Sequence, residues 1–231
     1  YYYTYQYLGY LNFRIGNLNE AEKFFLSIKE LVRNLFGKTN DFYISNNLEL
    51  VSVYKDKGLY IKAKKLVEES INIIKEVYGK KSLFLISPLN QQATIDFELG
   101  QYENGKNTLL KALEIIDKEN NDIKNITSRY GSLKFTKRNY SVTLSNLGYF
   151  YSIKGNFNKS EKFYQDALKF IGKDNLITYT IILNNISNNY LNLGLLSKAE
   201  KYLLQSLEIN KINGFQPEVA NDLQSLGTVY K

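Results

Sequence analysis

The sequence predicts an all-α protein built from stacked antiparallel helix hairpins. Glycines recur at a nearly constant spacing, and apolar residues on both sides of each glycine recur three and four positions apart, as along one face of a helix. The glycines are Gly16, Gly58, Gly100, Gly155 and Gly194, which lie 42, 42, 55 and 39 residues apart. We interpret each as the turn between a helix A and a helix B, because glycine readily ends a helix in a left-handed conformation.

Fixed positions after each glycine carry side chains of similar size. Five residues after it, all are small: Ala21, Ala63, Gly105, Ser160 and Ala199. Nine residues after it, all are large: Phe25, Val67, Leu109, Tyr164 and Leu203. Small residues let two helices approach closely, and large residues fill the space beside them. One hairpin cannot bury its apolar face alone, so neighbouring hairpins must stack.

The register divides the chain into a single array with one insertion. The repeats are predicted at 1–39, 40–81, 82–121, 138–174 and 175–214, with an insertion at 122–137 and the first helix of a sixth repeat at 215–231. The insertion is polar, and we expect an extended loop with part of a helix there. Helices are predicted at 2–15, 18–36, 41–57, 60–79, 86–99, 102–118, 138–154, 157–171, 176–193, 196–210 and 217–230. The apolar stripe of the last helix predicts further repeats or a fused domain in a longer protein.

Composition argues against most catalytic chemistry. The 231 residues include no Cys and no His, which excludes disulfides, thiol nucleophiles and every histidine general base. The sequence contains no Gly-rich phosphate loop and no nucleophile-elbow motif. We therefore expect a protein that is not an enzyme and that has no cofactor and no metal site.

Charge and hydropathy favour a protein partner. The net charge of +7 comes from 30 basic and 23 acidic residues that are mixed along the chain, which favours a soluble surface over a nucleic-acid patch. Nucleic-acid binding stays open as an alternative. The apolar runs are far shorter than the roughly 18–20 residues that span a bilayer, and the first residues do not form a signal peptide. We expect a cytoplasmic protein with no membrane contact.

The pattern resembles the tetratricopeptide repeat. The sequence Leu147-Gly148-x-x-Tyr151 is similar to that family's signature, and so are the small and large positions after the turn glycine. The usual repeat of the family is about 34 residues long. The 42-residue period resembles the kinesin-light-chain type, and Leu183-Asn184-Asn185-Ile186 is similar to that type's Leu-Asn-Asn-Leu. The resemblance implies a right-handed superhelical solenoid whose A helices line a concave groove that binds proteins.

Three residues depart from the family pattern. Asn12 and Asp96 stand where a tyrosine is usual, and Asn47 stands where an apolar residue is usual. We expect each to be tolerated near a helix end or in solvent. A functional polar site at Asp96 is the alternative.

Positions off the core stripe of the A helices are rich in amides and nearly uncharged. An amide both donates and accepts, so a row of amides can pair with the backbone of an extended peptide. The predicted groove residues are Gln6, Tyr10, Asn90, Gln91, Thr94, Asn146, Tyr149, Asn184, Asn185, Asn188 and Gln224. The alternative is that these amides are soluble filler in a chain of biased composition. Because only Arg14 and Lys55 bring positive charge near this face, we do not expect a clamp for a terminal carboxylate.

Two further features leave alternatives open. The aromatic cluster of Tyr2, Tyr3, Tyr7, Tyr10 and Phe13 is either core shared with a preceding repeat or a hydrophobic contact patch.

The function we predict is a scaffold that binds an extended peptide or a partner helix in the groove. The alternative is a regulatory or sensor region of a larger enzyme, such as a caspase-like protease or a signalling kinase.

Overall fold

The described part of the chain is helical and contains no strand. The structure, a computed structural model, describes residues 2–120, 133–173 and 175–231. Its helices are α1 (Tyr2–Arg14), α2 (Leu18–Phe36), α3 (Asp41–Asp56), α4 (Tyr60–Tyr78), α5 (Ile86–Glu98), α6 (Tyr102–Asn120), α7 (Leu133–Ile153), α8 (Phe157–Ile171), α9 (Leu176–Asn192), α10 (Leu196–Ile212) and α11 (Gln216–Val229), with a short 3-10 helix at Leu83–Leu85 before α5. The A helices are α1, α3, α5, α7, α9 and α11, and the B helices lie between them. The predicted fold class is confirmed.

The chain divides into two compact units, residues 1–115 and 116–231, and the boundary falls within α6. In the first unit α1 packs on α2, α2 on α3, α3 on α4 and α4 on α5. In the second unit α7 packs on α8, α8 on α9, α9 on α10 and α10 on α11. Each unit is therefore held by contacts between helices that are next to each other in sequence, as expected for stacked hairpins.

The turn glycines have the predicted conformation. Each of the five has a positive φ between 69° and 78°. In each turn the N–H of the next residue donates to the carbonyl of the residue four before the glycine, for example from Asn17 to Asn12 at 2.8 Å and from Gln101 to Asp96 at 2.7 Å. These bonds satisfy carbonyls that the end of helix A leaves without a partner and reverse the chain into helix B.

The predicted core positions are buried. The small residues five after each glycine and the large residues nine after it are all buried, and Ala21, Ala63, Ser160 and Ala199 are 0% exposed. Large side chains such as Phe25 and Tyr164 lie beside them and are 1% exposed. The crossings of helices A and B thus form the core of each unit.

The end of the predicted insertion is helical. We expected a helix from residue 138, whereas α7 begins at Leu133, so residues 133–137 of the predicted insertion belong to α7. No glycine or proline occurs between Leu133 and Lys137, and nothing there stops the helix from extending. Residues 121–132 of the predicted loop lie outside the described residues.

The three residues that depart from the family pattern have different environments. Asn47 is 0% exposed and lies inside α3, so the expectation of a solvated position was wrong for it. Asp96 lies near the end of α5 and is only 3% exposed, and Lys64 of α4 donates to its carboxylate at 2.7 Å, which compensates the buried charge. Asn12 lies near the end of α1 and donates to the carbonyl of Leu8 at 2.8 Å.

The Asp96–Lys64 ion pair replaces a tyrosine–glutamate pair found in other repeats. Tyr190 donates to Glu161, and Tyr230 donates to Glu200. In both pairs the tyrosine stands at the position of Asp96 in its repeat, and the glutamate stands at the position of Lys64 in the repeat before. Between α4 and α5 the tyrosine position holds an acid and the glutamate position holds a base. The unusual Asp96 is therefore compensated on the preceding helix B and belongs to the packing of the repeats.

A pair of glycine substitutions tests the geometry of the crossing. A Cβ at Gly105 would lie 2.8 Å from the carbonyl oxygen of Ala93, whereas a Cβ at Gly227 has no neighbour within 4 Å. Although other repeats carry Ala at the Gly105 position, Gly105→Ala should cost about 1–3 kcal/mol because of this overlap. Gly227→Ala should stabilise by about 0.5–1 kcal/mol, because Ala favours the helix. Thermal unfolding followed by circular dichroism checks both, and an unchanged or raised midpoint for Gly105→Ala contradicts the geometry.

Candidate functional site

The candidate site consists of the solvent-facing sides of the A helices, taken separately in each unit. In the first unit α3 and α5 are neighbours; in the second unit α9 contacts both α7 and α11. Most of the predicted groove residues lie on α5, α7, α9 and α11, and Gln6 and Tyr10 lie on α1. They have three different environments: some bond to a neighbouring A helix, some are buried and some face solvent.

Some of the predicted amides join neighbouring A helices. In the first unit the Nε2 of Gln91 on α5 donates to the carbonyl of Leu48 at 3.3 Å and to the hydroxyl of Ser52 at 3.5 Å, both on α3. In the second unit the Nδ2 of Asn185 on α9 donates to the hydroxyl of Ser145 on α7 at 3.1 Å. Gln91 and Asn185 occupy the same register, nine residues before a turn glycine. Both amides therefore link neighbouring A helices. Their N–H groups donate within the chain.

Thr94 also acts between two A helices. Its hydroxyl donates to the carbonyl of Gln91 at 2.9 Å and accepts from the ammonium of Lys55 at 2.7 Å. Burial lowers the pKa of Lys55, and the carboxylates of Asp56 and Glu98 partly oppose that shift. Lys55 is thus a half-buried cation held against α5.

Asn184 belongs to a buried polar cluster in the second unit. Its Nδ2 donates to Asp222 Oδ1 at 2.7 Å, and the hydroxyl of Ser206 donates to the same oxygen at 2.9 Å. The Nδ2 of Asn210 donates to Asp222 Oδ2 at 2.8 Å, and both Asp222 and Asn210 are 0% exposed. Three neutral donors therefore satisfy a buried carboxylate and connect α9, α10 and α11. Asn90 is also buried, at 5% exposure.

The remaining predicted residues face solvent to a larger extent. Tyr149 on α7 is 42% exposed, and Asn188 on α9 and Gln224 on α11 are exposed. Asn146 is half-buried. In the first unit Tyr10 is 49% exposed and Gln6 is half-buried. Whether a partner uses these residues stays a prediction.

Tyr149, Asn188 and Gln224 form a solvent-facing row in the second unit. Ile153 and Ile181 extend this row. They are 39% and 49% exposed and lie on the same helix faces as Tyr149 and Asn188, respectively. All these side chains are uncharged. The row can therefore offer apolar contact and hydrogen bonds without fixing the charge of a partner.

Two features of the A helices were not predicted from the sequence. The first is the Asp222 cluster, whose signal is that Asn210 stands sixteen residues after its glycine, where the other repeats have Val32, Ile74, Ile116 and Ile171. The second is a cavity of about 330 Å³ in the first unit, lined by Tyr3, Gln6, Tyr7, Tyr10, Phe25 and Glu49. Its signal is that Glu49 takes the register of Gln91 and Asn185.

The described residues bear on two other classes of function, metal binding and membrane insertion. They contain no group of three or more Asp or Glu residues arranged to hold a metal ion. None of the helices in residues 2–120, 133–173 and 175–231 combines the length and the apolar character that crossing a membrane requires.

Comparison with known sequences identifies two of the repeats. One profile of the tetratricopeptide repeat matches residues 181–213, and a second matches residues 142–171. These ranges cover much of α9–α10 and α7–α8, which are the hairpins of the second unit. A search of curated proteins finds no significant match to the sequence.

Solved structures with a similar fold extend over most of the chain. A kinesin light chain repeat protein from Podospora anserina has a TM-score of 0.57 at 14% identity, over 91% of this chain and 95% of that one. A thermophilic tetratricopeptide-repeat protein from Thermus thermophilus has a TM-score of 0.62 at 17% identity, over 98% and 99%. A Rap protein complexed with Competence and Sporulation Factor has a TM-score of 0.61 at 12% identity, over 99% of this chain and 64% of that one.

The helices and the comparisons together define a repeat protein made of helix hairpins. The glycine turns, the buried small positions and the two profile matches agree in register. Residues 142–171 and 181–213 match the tetratricopeptide repeat, and the fold of the chain is similar to that of kinesin-light-chain repeats.

The Asp222 cluster provides a test of how the A helices are fixed. Asn210→Ile should cost about 2–3 kcal/mol, because it leaves Asp222 Oδ2 without its donor in a buried site. The pair Asn210→Ile with Asp222→Ile reproduces Ile171 and Ile182, which occupy the same two positions one repeat earlier and are both 1% exposed, and it should recover most of that loss. Urea unfolding of the two single variants and the double variant gives the coupling. Additive losses would show that the two side chains do not depend on each other.

Proposed function

We propose that the protein is an interaction scaffold that binds an extended peptide or a partner helix along the solvent-facing sides of its A helices. The observation that carries this proposal is the uncharged row of the second unit, which exposes Tyr149, Ile181, Asn188 and Gln224 on three neighbouring A helices. Aromatic and aliphatic side chains supply apolar contact, and amides supply both donors and acceptors.

The row rests on a support that is ordered before a partner arrives. The bond from Asn185 to Ser145 joins α7 to α9, and the Asp222 cluster joins α9 to α10 and α11. Ordering side chains and backbone costs free energy when a complex forms, so a surface that is already fixed binds with less loss. The buried amides support binding indirectly, because they hold the exposed residues in place.

A structural relative supports this kind of role. A Rap protein of similar fold is known in complex with Competence and Sporulation Factor. That complex shows that a fold of this type can hold a separate molecule, and it supports the proposal without identifying the partner of this chain.

Substitutions on the row test the proposal. A library of random peptides displayed on phage is selected against the whole chain, and the affinity of a selected peptide is measured by fluorescence polarisation. Tyr149→Ala and Asn188→Ala should each weaken binding by about tenfold, the effect of removing roughly 1.4 kcal/mol of contact. Asn158→Ala is the matched control, because Asn158 is an exposed amide on helix B α8.

Circular dichroism checks that each variant is still folded, so that a change in affinity can be assigned to the substituted side chain. Each variant should retain native helicity, since none of the three residues is buried. Unchanged affinity in both row variants, with helicity retained, would contradict the proposed surface. So would failure to select any peptide that the native chain binds.

A further inference from the structure

A glycine inside α11 has no packing contact that accounts for it. At the same position of α7, a Cβ added to Gly148 would lie 2.7 Å from the ring of Tyr164 on α8. In α1, a Cβ added to Gly9 would lie 2.8 Å from the ring of Phe25 on α2. A Cβ added to Gly227 of α11 has no neighbour within 4 Å. Because glycine weakens a helix interior relative to alanine, close approach by a side chain of another helix would explain why it stands there.

Two large side chains flank this glycine on one face of α11. Leu223 is 50% exposed and Tyr230 is 66% exposed. They lie four residues before and three residues after Gly227, so the three side-chain positions share one face, which we call the Gly227 face. Gln224 of the solvent-facing row is one residue further along and therefore lies about 100° around the helix. The Gly227 face is thus separate from that row.

The covered copy of this face in α7 shows which side chains fit it. The motif Leu226-Gly227-x-x-Tyr230 repeats Leu147-Gly148-x-x-Tyr151. On α8 the ring of Phe163 stacks on Tyr151, with ring centroids 5.4 Å apart and an angle of 5° between the planes. The Nζ of Lys159 lies 4.2 Å from the centroid of the same tyrosine ring. One face of α8 therefore supplies a cation and a stacked ring, together with the ring of Tyr164 that lies against the glycine.

The lysine occurs in the hairpins that have the tyrosine. In three of the five hairpins the residue four before the turn glycine is a tyrosine, and a lysine four after the glycine lies over its ring: Lys62 over Tyr54 at 5.7 Å, Lys159 over Tyr151 at 4.2 Å and Lys198 over Tyr190 at 5.2 Å. In the other two hairpins the corresponding pairs are Asn12 with Glu20 and Asp96 with Asn104. The electronegative face of a tyrosine ring attracts an ammonium, which accounts for the pairing. Tyr230 has the same register, so it predicts a lysine in the helix that covers it.

These contacts define the sequence of a covering helix. The sequence of α8 is Lys159-Ser160-x-x-Phe163-Tyr164, and that of α10 is Lys198-Ala199-x-x-Tyr202-Leu203. Tyr202 stacks on Tyr190, with ring centroids 5.7 Å apart. The expected order is a lysine, a small residue, two residues of any type, an aromatic residue and a large residue. The small residue lets the two helices cross closely, and the large residue fills the space beside the glycine.

A partner protein is a better source of such a helix than a second copy of this chain. Within the described residues, α8 packs on α7 and α10 packs on α9, so both helices with this sequence already cover their own helix A. A second copy could offer one of them only by opening a hairpin, which would expose apolar core to water.

We propose that the Gly227 face binds an amphipathic helix of a partner protein. The large residue of that helix lies against Gly227, its aromatic residue stacks on Tyr230, and its lysine lies over the same ring. The surface continues the crossing of helices A and B from within the chain to a second polypeptide. It is a binding site in addition to the row of the second unit and does not depend on it.

The sequence of α8 provides the probe. A fluorescent peptide of residues 156–172 is titrated against the whole chain, and binding is followed by fluorescence polarisation. The peptide should bind in a saturable way, and Gly227→Leu should weaken binding at least about tenfold, because leucine fills the space that the peptide's Tyr164 needs. Thr228→Leu is the matched control, since Thr228 is exposed on another side of α11, and it should bind as the native chain does. Circular dichroism should show native helicity in both variants, because neither position is buried.

Further variants test the individual contacts. Tyr164→Ala in the peptide should weaken binding about tenfold, and replacement of the peptide's Lys159 by norleucine should weaken it a few-fold. In the chain, Tyr230→Phe keeps the ring and should retain binding, whereas Tyr230→Leu should lose a few-fold. Unchanged affinity in Gly227→Leu, or equal affinity for the native and Tyr164→Ala peptides, would overturn the proposal. So would absence of saturable binding.

Other occupants of the face give different results. The chain alone should sediment as a monomer, and a dimer that Gly227→Leu dissociates would overturn the proposal by making a second copy the occupant. A peptide that binds the 231-residue chain but not the protein isolated from its native cells would overturn it as well, because a segment of the same polypeptide would then cover the face. Tyr149→Ala and Asn188→Ala should leave binding of this peptide unchanged, so failure of the Gly227 face and failure of the proposed row are distinguishable.

Discussion

Close crossing of helix A over helix B is the constraint on which the rest of the structure depends. Ala21, Ala63, Ser160 and Ala199 are 0% exposed at the crossings, where larger side chains would force the helices apart. Large residues such as Phe25 and Tyr164 lie beside the small ones and are 1% exposed, as the close packing of protein interiors requires. Because each crossing is local, stability comes mainly from contacts between neighbouring helices.

The crossings also bring polar residues of different repeats together. Once the A helices lie side by side, Gln91 reaches Leu48 and Asn185 reaches Ser145, and these bonds repeat at one register. Residues that make such bonds link the A helices, whereas Tyr149 and Asn188 on the same helices are exposed.

The helix hairpins and their core positions could be predicted from the sequence, because both depend on residues within one hairpin. The sequence could not assign individual groove residues, because the partner of a polar side chain lies in another repeat. Asn184 bonds to Asp222, 38 residues away, and Asp96 bonds to Lys64, 32 residues away. Each pair becomes visible only when one register of a repeat is compared with another register of its neighbour. Size patterns show core positions directly, whereas polar pairs require the stacking of repeats to be known.

Amide hydrogen exchange of the variant Ala63→Leu tests the central claim most directly. Leucine at this fully buried position overfills the crossing of α3 and α4. If crossings between neighbouring helices hold the fold, protection should fall most in α3 and α4, less in α2 and α5, and little in α10. An equal loss of protection in all of these helices would contradict the account, because it would mean that one cooperative core stabilises the whole chain.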